Sequence, residues 1–150
     1  MYSKNEWDPL KVVMVGVADN ATIPEIDISL KTVNYADKKE YDIKSGQYPK
    51  FVIDQANEDL EKLSDFLKAC GVEVVRPKRE PVNYYNYCPR DSVIINDTQS
   101  IIAPMSMNVR KAEHLSILEH LRNITVVPNF DNYDVYNMDC IGNPDILALR

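Results

Sequence analysis

The sequence predicts an α/β fold made of two successive strand–helix–strand units, followed by the start of another element. Two observations carry this. Short β-branched runs alternate with stretches of helical periodicity, and the order strand, helix, short strand, proline occurs twice along the chain. The 150 residues suffice for one ordinary domain with its own core. Hydrophobic residues make up 45% and charged residues 27%, the range of a folded chain rather than a disordered one.

Val12-Val13-Met14-Val15, between Lys11 and Gly16, is short and β-branched, which predicts a buried strand. From Asp19 to Pro49 no apolar period is sustained, and Pro24, Gly46 and Pro49 punctuate a long connection. Such a connection is either functional or a plain surface excursion. Ile53, Ala56, Leu60, Leu63, Leu67 and Cys70 then step by three and four residues, the apolar stripe of an amphipathic helix. Glu58 and Lys62 form an i, i+4 pair on its exposed side, and Gly71 stands where a left-handed C-terminal cap falls. Val72-Glu73-Val74-Val75 follows as a short strand, closed by Arg76-Pro77.

The second unit opens with a hairpin: Val93-Ile94-Ile95, the turn Asn96-Asp97-Thr98-Gln99, and Ile101-Ile102-Ala103. Pro104 ends it. Asn108 is placed to cap a helix running to about Leu121, with Val109, Ala112, Leu118 and Leu121 facing inward. Ile124-Thr125-Val126-Val127 is the closing strand, followed by Pro128. Residues 129–144 are polar and aromatic without a period, and residues 145–150 read as another element beginning.

Composition removes several function classes. With 17 basic against 23 acidic residues the net charge is −6, which disfavours a nucleic-acid binder. Gly16, Gly46, Gly71 and Gly142 are scattered, so a glycine-rich phosphate loop is excluded. Cys70, Cys88 and Cys140 form an odd set without C-x-x-C spacing, suggesting neither a disulfide framework nor a zinc knuckle. No apolar run reaches the roughly 18 residues of a membrane span, and residues 1–8 do not read as a signal peptide. The expectation is a cytoplasmic protein.

Chemistry-bearing candidates each have a plain structural alternative. Asp91, in Tyr87-Cys88-Pro89-Arg90-Asp91, either bonds nearby backbone or Arg90, or accepts two parallel N–H bonds from a cationic ligand. Asp139, in Asn137-Met138-Asp139-Cys140-Ile141-Gly142, serves a turn or a reaction. His114 and His120, six residues apart on one predicted helix, do not share a face, which argues against joint metal ligation and reads as solvation. Cys88 and Cys140 have no histidine close in sequence and read as buried thiols rather than nucleophiles. The tyrosine-rich residues 83–87 either line a pocket or cover a module edge.

Five blocks in order resemble one family. They are Asn5-Glu6-Trp7-Asp8-Pro9-Leu10 with Val13-Met14-Val15-Gly16, then Tyr48-Pro49-Lys50, then Gly71 to Pro77, then Pro89-Arg90-Asp91, then Ala103-Pro104-Met105 with Arg110 and Glu113. Together they are similar to the amidinotransferases, the group containing glycine amidinotransferase.

The resemblance implies a partial α/β propeller of the pentein type, with five ββαβ modules in a full-length member. Module one would span about residues 9–77, module two about 89–128, and the start of module three about 137–150, all in a single domain. It implies amidino transfer from arginine to an amine such as glycine, by a cysteine thiolate, a histidine and guanidinium-holding aspartates. Asp91 matches the substrate-binding aspartate and Asp139 the aspartate of the catalytic trio, in a stretch from Asp139 to Asp145 one residue shorter than the family's. Arg110 and Glu113 match positions with a structural role.

The family's histidine and nucleophilic cysteine lie downstream, and none of Cys70, Cys88, Cys140, His114 or His120 matches them. The expectation is therefore a truncated or split chain that transfers no amidino group alone. The alternative is a non-catalytic module that binds a guanidino compound or is completed by a partner. The expected partners are a small guanidino substrate such as arginine, and a second copy or a complementing chain, with no nucleic acid, membrane, cofactor or metal.

Overall fold

The computed structural model describes residues 5, 7–78, 84–89, 92–105 and 107–126. Strand β1 (Val12–Met14) lies parallel to a later strand, Glu73–Val75, with Val13 opposite Val74. It is half-buried rather than buried as expected, because among the described residues this sheet has two strands and each keeps an open edge.

The connection after β1 holds more regular structure than its sequence suggests. It contains β2 (Thr22–Ile23), α1 (Ile28–Asn34), a 3₁₀ turn at Glu40–Asp42, and β3 (Gly46–Gln47), which pairs antiparallel with β2. Helix α1 escapes a periodicity test because only Leu30 among its large apolar residues is buried, while Ile28 and Val33 are exposed. Its legible signal is the cap: the Asp27 carboxylate accepts from the Leu30 N–H at 2.8 Å and from Ser29 Oγ at 2.6 Å.

Helix α2 (Lys50–Ala69) follows Pro49, whose carbonyl accepts the first helical N–H bonds. The Glu58–Lys62 pair forms on its exposed side as expected. Ile53, Ala56, Leu60 and Leu67 are partly buried, but Leu63 is 47% exposed and Cys70 is exposed. Ser64 is fully buried in place of Leu63. Neighbouring helical residues point about 100° apart, so a buried line through Ile53, Asn57, Leu60, Ser64 and Leu67 turns Leu63 outward. Gly71 caps the helix at φ +81 and leads into β4 (Glu73–Val75).

In the second unit, β5 (Val93–Asn96) and β6 (Gln99–Ile102) form the expected hairpin. Its tight turn is Asp97-Thr98, with Asp97 in the left-handed region at φ 51. Strand β7 (Ile124–Val126) lies parallel to β6. Both units therefore close in the same way, the strand after the helical segment lying parallel to one before it: β4 on β1, and β7 on β6.

The expected helix from Asn108 is instead two 3₁₀ segments, Asn108–Arg110 and Glu113–His120. Met107, Arg110, Glu113 and Ser116 are buried at steps of three, the repeat of a 3₁₀ helix. That repeat leaves Ala112 exposed, contrary to expectation, and puts an ion pair inside. Asn108 does not cap its own segment: its side chain donates to Asp27 Oδ2 at 2.9 Å. Ile102, Ile117 and Leu121 form the core with Met14, Val93, Ile95 and Leu118 packed against it, so β1 contributes to the core of the second unit. Among the described residues no helix is long and apolar enough to cross a membrane.

Candidate functional site

Asp91 and Asp139, the two expected site residues, lie outside the described residues, as do Arg90 and Cys140. The structure describes what flanks Asp91: a turn through Tyr84, Tyr85, Asn86 and Tyr87 on one side, and Ser92 at the mouth of β5 on the other. This turn sits at the carboxyl ends of β1 and β4, where ligands bind in open α/β sheets.

The turn is pinned through Asn86, which is buried. Its carbonyl accepts from Val17 N–H at 2.9 Å, and its side-chain amide donates to the Lys78 carbonyl at 3.0 Å. Gly16 makes this approach feasible: a β-carbon there would overlap the backbone carbonyls of Asn86 and Tyr87. On the other side of the same strand end, Arg76 Nη1 donates to the Gly16 carbonyl at 2.6 Å, and Arg76 also pairs with Glu61 of α2. Asn57, a polar residue on the partly buried face of α2, accepts from Ala18 N–H and donates to Asp19, both at 2.8 Å.

The ring of Tyr85 lies beneath the Arg110 guanidinium, whose central carbon is 5.3 Å from the ring centroid. Arg110 and Glu113 are 6% and 3% exposed, and Arg110 Nη2 meets Glu113 Oε2 at 2.7 Å. Both side chains are thus held inside the fold. Burial, followed by the neighbouring Tyr35, pushes the Tyr85 phenol up to about 12, although Arg110 pulls the other way. Burial raises Tyr87 as well. Both phenols therefore stay protonated at neutral pH and offer O–H donors and ring faces rather than a base.

The remaining candidates are placed differently from expectation. Cys70 is exposed at the end of α2, and Cys88 is half-buried rather than buried. His120 is not simply solvated, since its Nε2 lies 3.2 Å from the Arg76 carbonyl and so bridges the two units. Lys78 N–H adds a second bridge, to the Ser116 carbonyl at 2.7 Å. His114 is half-buried. Among the described residues no group of three or more His, Cys, Asp or Glu could hold a metal ion.

Burial holds His114 below its usual value of 6.5, partly offset by a hydrogen bond with the Lys111 backbone. At Asp27 burial pulls the carboxyl up, but bonds from Ser29, Leu30 and Asn108 outweigh it, leaving the group below 3.8. Both groups bind protons more weakly folded than unfolded. Their stabilisation is complete above the unfolded values and is lost as pH falls through them. Melting temperature is therefore expected to fall in two stages, from near pH 6.5 and again below about pH 4. In His114→Gln the slope between pH 7 and 5 should flatten, and thermal melts at stepped pH would show it.

No protein-family model matches this chain. Inosamine-phosphate amidinotransferase 1 of Streptomyces glaucescens is 35% identical over 128 residues, covering 75% of this chain and 36% of that protein. Mitochondrial glycine amidinotransferase of Gallus gallus is 31% identical over 128 residues, covering 75% of this chain and 30% of that protein. The solved structure of inosamine-phosphate amidinotransferase StrB1 from Streptomyces griseus superposes with a TM-score of 0.80 at 30% identity. That match covers 87% of this chain and 43% of that one.

The chain is a relative of the amidinotransferases. Its mixed α/β arrangement is part of an amidinotransferase fold, and the matched stretch spans about a third of the length of these curated amidinotransferases. The turn, the Gly16 approach and the Arg110–Glu113 pair all belong to this amidinotransferase-like chain.

Proposed function

We propose that this chain supplies the guanidinium-holding part of an amidinotransferase, with Asp91 as the carboxylate that receives the planar cation. The observation that carries this reading is the joint match in fold and sequence to amidinotransferases. The pinned turn supports it, because Asn86 anchors the backbone just before the Pro89-Arg90-Asp91 motif. A carboxylate there would accept two parallel N–H bonds from an arginine side chain. Asp139 is proposed as the aspartate of the reacting trio. The modules at about 9–77, 89–128 and 137–150 are proposed as two blades and the start of a third in a five-bladed propeller.

On this reading the 150 residues bind arginine and transfer nothing. Calorimetry should record heat with arginine that disappears in Asp91→Asn, and arginine plus glycine should give no ornithine. Identical traces for the two proteins would remove Asp91 from the site, and ornithine above background would overturn the inactivity.

A second reading, a module completed by a partner, is favoured by the apolar side chains left at the surface. Trp7 is 81% exposed, Phe51 74% and Phe66 65%. Sedimentation showing self-association supports it, and a sharp monomer with cooperative melting speaks against it.

A further inference from the structure

We infer that His120 is a positioning residue for the Tyr84–Tyr87 turn, acting on it through residues 76–78, the segment to which Asn86 is anchored. That this turn serves a guanidine site rests on the reading above; that His120 positions the turn does not.

The chain of contacts starts in the core. His120 stands between Ile117 and Leu121, which are 3% and 8% exposed and form the core of the second unit with Ile102. Close packing there sets where the His120 backbone lies. Its Nε2 is 3.2 Å from the Arg76 carbonyl and 3.6 Å from Glu119 Oε1. A carbonyl only accepts, so Nε2 carries a hydrogen and donates it to Arg76. One turn earlier on the same 3₁₀ segment, the Ser116 carbonyl accepts from Lys78 N–H at 2.7 Å. A single bond would let the 76–78 segment swivel. Two bonds fix its direction as well as its place.

The gripped segment reaches the turn by two routes. The Lys78 carbonyl accepts from the Asn86 side-chain amide at 3.0 Å. The Arg76 guanidinium donates to the Gly16 carbonyl at 2.6 Å, and Gly16 is the residue packed against the carbonyls of Asn86 and Tyr87. Asn86 joins the two routes, since its own carbonyl accepts from Val17 N–H at 2.9 Å. A shift of Arg76 or Lys78 therefore moves both anchors of the turn. His120 acts at one remove, through backbone.

Amide hydrogen exchange on the full 150-residue chain tests this with His120→Ala, His120→Gln and Gln99→Ala. Glutamine reaches as far as Nε2 and keeps an N–H donor there. Gln99 is the control, because its bond to Thr125 Oγ1 at 2.8 Å lies within the second unit. In His120→Ala the Lys78 and Val17 amides should exchange roughly fivefold faster, the effect of one lost hydrogen bond. Residues 60–67 of α2 should stay as protected as before, His120→Gln should restore the parent rates, and Gln99→Ala should leave both amides unchanged. Unchanged exchange at Val17 in His120→Ala, acceleration spread equally over α2, equal acceleration in Gln99→Ala, or no rescue by glutamine would overturn the positioning.

Calorimetry with arginine separates this from the guanidine reading. Affinity should fall about fivefold in His120→Ala and return in His120→Gln. No heat in the parent removes the guanidine reading, and the exchange rates still decide whether His120 holds the turn.

Discussion

Glu113→Gln is expected to lower the unfolding free energy by about 3 kcal/mol, the cost of removing one charge from a buried ion pair. Arg110 and Glu113 are almost wholly inside, with Arg110 Nε 3.1 Å and Nη2 2.7 Å from Glu113 Oε2. Their mutual attraction offsets the loss of hydration that each suffers, and removing one charge takes that attraction from the other. Since domains of this size are stable by roughly 5–15 kcal/mol, the variant should be marginal. The double replacement Arg110→Met with Glu113→Leu should recover most of the loss, because well-packed apolar groups of similar volume need no desolvation. Urea unfolding midpoints for the single and double variants check both halves. A Glu113→Gln midpoint within error of the parent would show that the pair contributes little. In the double variant the Tyr85 ring loses its cation, so the turn at residues 84–87 should loosen there.

Gly16→Ala is expected to cost about 3 kcal/mol, at the upper end of overpacking penalties. The added methyl meets the carbonyls of Asn86 and Tyr87, which are backbone and cannot swing aside as a side chain would. Either β1 or the turn must move, and the Val17–Asn86 hydrogen bond then lengthens or breaks. Gly71→Ala is the control: Gly71 has φ +81 but nothing within 4 Å of the new methyl, so only left-handed strain of about 1–2 kcal/mol applies. Denaturant midpoints should rank Gly16→Ala well below Gly71→Ala. If arginine binding is present in the parent, it should weaken in Gly16→Ala and persist in Gly71→Ala. Equal midpoints for the two variants would mean that the close approach carries no weight.

Much of this arrangement was legible beforehand. Val12, Val74, Ile94 and Ile101 lie in short β-branched runs that form strands, and the hairpin turn falls at Asp97-Thr98. Helix α2 and its Gly71 cap follow from spacing and glycine placement. The misses have physical causes. Helix α1 presents one buried apolar residue, too few to make a period, although Asp27 and Ser29 are a readable cap. Residues 108–120 carry their charged pair at a spacing of three, so an apolar stripe at 3.6 is the wrong test there. Of the site, the motif around Asp91 was visible, whereas Asn86, Gly16 and Asn57 act through contacts with distant segments.

By itself, the sequence determined the order of the strands, the long helix, the repeated unit and the kinship to amidinotransferases. Those depend on local preference and on short motifs, which neighbouring residues carry within a few positions. Only the tertiary structure decided that Gly16 must be a glycine, that Ser64 rather than Leu63 faces inward, and that Asp27 grips Asn108 from 81 residues away. These outcomes depend on which surfaces meet and how closely. Such encounters are set by packing the whole chain, and no local pattern records them.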